Sequence, residues 1–74
     1  MIIQDEPLDN LVKYKIFWGT LQIESFERDL KEFNPYNIGY KIQRFKHVFE
    51  VTKVISIRIR NTKHIHVFTK TLTR

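Results

Sequence analysis

The feature that most limits what this chain can fold into is the period-two alternation in its last third. In "VISIRIR", Ile55, Ile57 and Ile59 interleave with Ser56, Arg58 and Arg60, and "HIHVFTKTLT" is equally regular after a short polar "NTK". Successive side chains of a strand point to opposite faces, so this pattern belongs to β-strands with one apolar face.

The same reading extends upstream. Val12, Tyr14, Ile16 and Trp18 alternate with Lys13, Lys15 and Phe17, and Gly19-Thr20 breaks that strand. Ile38, Tyr40 and Ile42 alternate with Lys41 and Gln43. The pattern stumbles at Arg44–His47, where it predicts a bulge or a turn, then resumes with Phe49 and Val51 before a weak break at Thr52-Lys53.

Between the first strand and the rest, Ile23, Phe26, Leu30 and Phe33 recur at spacings of three, four and three, the stripe of an amphipathic helix. That spacing predicts a helix over at least 25–33, capped by Thr20 or Ser25 and stopped by Asn34-Pro35. "TLQIE" alternates like a strand as well, which leaves the helix start open. Residues 1–10, with Pro7 and three acids, predict a loose acidic leader, and 11–74 a single domain. The expected fold is α+β: a small β-α-β-β-β domain with one amphipathic helix packed on one face of a mostly antiparallel sheet.

A chain of 74 residues has room for one domain and buries only about 60% of the surface its unfolded form exposes. Ten aromatics and ten isoleucines supply the bulk for a core. With no Cys, a disulfide framework and a thiolate zinc site are both excluded. The first residues lack the basic and apolar regions of a secretory signal, and no apolar run nears the roughly 20 residues that span a bilayer, so an intracellular location is expected. The absence of Ala beside abundant Ile, Lys, Phe and Asn follows AT-rich codons and suggests a phage, viral or plasmid origin.

Charge is the strongest functional signal. Residues 1–40 carry four cations against seven acids, net −3, and residues 41–74 carry nine against Glu50 alone, net +8, giving the overall +5. Such polarity suggests that the basic half meets an anion, nucleic acid being the commonest.

The placement of His64 and His66 depends on how the last two strands pair, since a slip of one residue inverts a face. A three-residue loop, Asn61-Thr62-Lys63, pairs Ile59 with Ile65 and Ile57 with Val67, and so keeps one face apolar. It then sets Arg60 beside His64 and Arg58 beside His66. The expected nucleic-acid interface is this outer face: Lys41, Arg58, Arg60, Lys63, His64, His66, Phe68 and Lys70, with Lys13, Lys15 and Phe17 able to join from the first strand and Gln43 and Phe45, beside Lys41, from the next. Cations neutralise phosphates and aromatic faces stack bases for roughly 1–3 kcal/mol each.

Two histidines at i and i+2 could also reach one metal ion, which makes His64 and His66 weak metal candidates. Without acids beside them, and with arginines adjacent, no metal and no cofactor are expected. The triplet His64-Ile65-His66 resembles that of the endonucleases that hold a metal during replication initiation or transposition. Those enzymes also need a nucleophilic tyrosine beyond the triplet, and the last eight residues contain none, so that identity is excluded. No phosphate-binding loop or Ser–His–Asp set is present either, and a catalytic role is not the leading expectation. A protein-interaction module or a regulator of a host nucleoprotein complex is the alternative. It would use the acidic helix face (Glu24, Glu27, Asp29, Glu32) or an edge strand 64–72 that could also make a homodimer. A small ribonuclease-type toxin comes third, resting on the scattered side chains of His47, His64, His66, Tyr36 and Tyr40 as acid–base groups, histidine being the residue that titrates near neutrality.

Overall fold

The computed structural model describes residues 10–72; the proposed leader lies almost entirely outside them. The architecture is all-β, in order β1 (Leu11–Trp18), β2 (Leu21–Asp29), β3 (Lys41–Arg44), β4 (His47–Ile59) and β5 (Thr62–Thr71). They form one sheet of order β2-β1-β5-β4-β3, curled into a half-barrel. Every neighbouring pair is antiparallel except β1 with β5.

The expected helix is thus a strand, and the fold is not α+β. Gly19, at a φ of +63°, makes a two-residue turn between Trp18 and Leu21, so the chain reverses and pairs from Leu21 onward. The helix-like spacing has a specific origin. The register moves from Ile16↔Glu24 to Phe17↔Gln22, leaving Ile23 as a bulged extra residue. A bulge changes the parity of a strand, so Ile23 and Phe26, three apart, both pack against the core. Leu30 and Phe33, which would complete the stripe, lie beyond the strand and are exposed, Phe33 at 78%.

The core fills the concave face. Val12, Tyr14 and Ile16 from β1 meet Ile65 and Val67 from β5, Val51 from β4 and Ile42 from β3. Tyr36, from the 30–40 connection, drops into the concavity: its ring lies 5.6 Å from Tyr14 and 5.9 Å from Phe26, and Tyr14 stacks on Phe26 at 5.1 Å. Its backbone is held by an Asx turn in which the Tyr36 N–H donates to Asn34 Oδ1 at 2.9 Å. The curl brings the side chains of the two outermost strands together, where Arg44 Nε on β3 donates to Glu24 Oε1 on β2 at 2.7 Å. Glu24 therefore turns inward, and the acidic helix face does not form.

The irregularities further along also resolve. Arg44–His47 is the turn of the β3–β4 hairpin, with Phe45 (φ 54°) and Lys46 (φ 63°) both left-handed. Thr52-Lys53 is a bulge inside one continuous β4 rather than a break between strands. Among the described residues no helix is long and apolar enough to cross a membrane.

Two outcomes are expected from chemical denaturation. Phe26→Ala should cost about 2–4 kcal/mol, in the range of large-to-small core truncations, while Phe33→Ala stays within about 0.5 kcal/mol; a helical stripe would make the two losses comparable. Lys46→Gly should raise stability by about 1 kcal/mol, because a side chain in the left-handed region costs roughly that much.

Candidate nucleic-acid interface

The β4–β5 register decides what the convex face presents. Ile59 pairs with Thr62, Ile57 with His64 and Ile55 with His66. The loop is the two-residue turn Arg60-Asn61, with Arg60 at a φ of 55°, and not the expected three residues. This inverts β4 relative to the expectation: Ile55, Ile57 and Ile59 share the convex face with the histidines. Arg58 pairs with Lys63 on the opposite side, its Nε donating to the Arg60 carbonyl at 2.9 Å. The expected Arg58/Arg60 pairing with the histidines is therefore overturned.

The reason is the neighbour on the other side. Ile65 and Val67 are fixed inward by Tyr14 and Ile16 on β1, and β4 must match them. It does so with Val54 opposite Val67, and the bulge restores Val51 and Phe49 to the concave face below. A bulge thus exchanges which half of β4's alternation is apolar-inward.

What the fold does bring together on the convex face comes from β1. Across the parallel seam Lys13 pairs with His64, Lys15 with His66 and Phe17 with Phe68. The Phe17 and Phe68 rings stack at 5.0 Å with 16° between planes, and Phe17 also touches His66 at 5.5 Å. Next along β5, Lys70 lies opposite Glu50, with Nζ to Oε1 at 3.8 Å, and Glu50 is in turn opposite Lys41. One carboxylate between two exposed lysines leaves that end basic, and an exposed pair of this kind contributes at most about 1 kcal/mol. On the other flank Lys13 faces Glu27, and a groove of about 320 Å3 runs past Lys13, Lys15, Ser25 and Glu27.

His66 is half-buried in this seam. Burial lowers its pKa below the ordinary histidine range, and the positive charge of Lys15 and the neighbouring His64 push the same way. The shift favours the neutral imidazole, which can donate one hydrogen bond and accept another. Among the described residues no three His, Asp or Glu side chains come together as a metal site would require.

A second feature lies at one end of the concave face. Trp18, Leu21 and Ile23 from the β1–β2 hairpin meet Phe45, His47 and Phe49 from the β3–β4 hairpin around an apolar cavity of about 400 Å3. Phe45 is 67% exposed on a strained turn, and Trp18 rests edge-on against Phe49 at 5.8 Å. Sequence reasoning missed this mouth, because it set Phe45 with Lys41 and Gln43 on the outer face, whereas the left-handed turn carries Phe45 to the concave end.

The chain matches no known protein family, no curated protein and no solved structure.

The lowered His66 pKa sets a sign for stability against pH. As pH falls through the ordinary histidine pKa near 6.5, the unfolded chain takes up a proton that the folded His66 does not. Unfolding is thereby favoured down to the folded-state pKa. Urea midpoints of the wild type should drop across that window, and the drop should shrink in His66→Gln; an unchanged pH slope in the variant would show that His66 is not the group responsible.

Proposed function

We propose that this chain is a small, non-enzymatic, intracellular protein that binds single-stranded nucleic acid on the convex face of its sheet. The observation that supports this most directly is the seam in which Lys13, Lys15 and Phe17 stand in register with His64, His66 and Phe68. Two lysines flanking a half-exposed, stacked pair of phenylalanines is the combination single strands require, with cations along the backbone and aromatic planes for bases. The +5 net charge, carried by the C-terminal half, draws the ligand toward this face. Within the reading, Lys13, Lys15 and Lys70 contact phosphates, Phe68 and Phe17 stack, and His64 and His66 hydrogen-bond. Lys41 extends the basic track. Arg58, Arg60 and Lys63 sit on the far side or tip of the β4–β5 arm and act at most through long-range attraction.

Fluorescence anisotropy with short DNA and RNA oligonucleotides tests this. Three phosphate contacts on a single strand correspond to a slope of about −2 in log affinity against log salt concentration. Lys13→Ala with Lys15→Ala should flatten that slope, Phe68→Ala should weaken binding by about tenfold or more, and Arg58→Ala should change little. Binding should also tighten as pH falls, since a bound phosphate favours protonated His66. Equal losses from Arg58→Ala and the lysine double variant would move the interface off this face.

The apolar mouth favours a second reading, a protein partner that inserts an aliphatic or aromatic side chain between Trp18, Leu21 and Phe45. Trp18 fluorescence discriminates: a shift with a candidate protein marks the mouth as the working site, whereas oligonucleotide binding that leaves Trp18 unchanged keeps the ligand on the convex face.

A further inference from the structure

β5 is flanked by β1 and β4, so its residues 63–69 have no open edge and the expected homodimer through strand 64–72 does not form there. Besides the outer edges of the terminal strands β2 and β3, an open edge remains on the longer strand β4. β3 covers only His47–Glu50, and Gly39 and Tyr40 extend the cover to Val51, whose C=O and N–H they engage. Beyond that, no described strand pairs with β4 on this side. Past the bulge the ladder alternation points the backbone N–H and C=O of Val54 and Ser56 away from β5 and toward this edge.

Edges avoid pairing by means of charges, prolines or bulges. This one has no proline, and its cations, Lys53 and Arg58, stand to either side of its centre and not at it. Its bulge lies at the end of the open stretch, and its midpoint is Ser56 between Ile55 and Ile57, the latter 37% exposed. We infer that the β4 edge, residues 53–59, pairs antiparallel with the same edge of a second copy of this chain, with the two-fold axis at Ser56. That register is self-complementary. Ser56 meets Ser56, each Ile55 meets the other copy's Ile57 and continues the convex isoleucine stripe, and Val54 meets Arg58. Lys53 falls opposite Ile59, so no cation faces a cation despite the basic character of both copies. The convex faces of the two copies would then form one continuous sheet.

Sedimentation of nuclease-treated protein over a concentration series reads the association. The strand-pair interface is small against the roughly 1,200 Å2 of stable complexes, so a dimer is expected to appear only at about 100 µM and above. Ser56→Pro removes an N–H that faces the edge and not β5, which an edge strand tolerates, and Ile57→Lys sets a charge beside the axis. Both should remain monomeric with the wild-type circular dichroism spectrum, and the wild-type Ser56 amide should gain exchange protection with concentration. A wild type that is monomeric at 1 mM, or a dimer that persists in both variants, overturns the inference.

Discussion

The parallel seam between β1 and β5 decides the inside and the outside of this protein at once. Its concave side is Val12, Tyr14 and Ile16 against Ile65 and Val67, five of the most buried side chains in the molecule. Its convex side, one residue over in each strand, is the lysine–histidine–phenylalanine register. Because neighbouring positions on a strand face opposite ways, neither set can move without moving the other. Packing of the core therefore positions the candidate interface to within one pleat, and Thr69, buried with its Oγ1 donating to the Phe17 carbonyl at 2.8 Å, pins the end of the seam.

Two bulges adapt the remaining strands to that seam. Without the extra residue at Ile23, either Glu24 or Leu21 would sit on the wrong face of β2. Without the one at Thr52-Lys53, β4 could not offer both Val54 and Val51 to the core. Bulges also increase local twist, in keeping with a sheet curled far enough for Arg44 and Glu24 to touch across its two edges.

These bulges mark the boundary of what was legible beforehand. The alternation of Leu11–Trp18, of Ile55–Ile59 and of His64–Thr71 is visible in the sequence, and so is the grouping of His64, His66 and Phe68 on one face, since those follow from parity within one strand. The strand β2 was not legible, because a bulge turns a period-two pattern into a spacing of three that imitates a helix. The assignment of Arg58 failed for a related reason. A consistent apolar face for the two-strand hairpin alone favours Ile57 inward, but β5 answers to β1 first, and that parallel neighbour lies 51 residues away in sequence, from Val12 to Lys63. Net charge pointed to the basic half and so ranked Lys13 and Lys15 as additions to the interface, although the parallel seam makes them its direct neighbours: they belong to the acidic half of the sequence and to the basic face of the fold.

That separation between seam partners also has a meaning in time. The β1–β2 and β4–β5 hairpins are local and can close within microseconds, yet neither owns a complete core, since Ile16 and Val67 bury one another only when first strand meets last. Joining them closes a loop of some fifty residues before its contacts are gained, which places this sheet among slow-folding topologies. During synthesis the earlier strands must wait for β5 to emerge, with the apolar flank of β1 uncovered. A chain with this seam is committed late and all at once, and substitutions along β1 and β5 should govern how fast it folds as much as how stable it is.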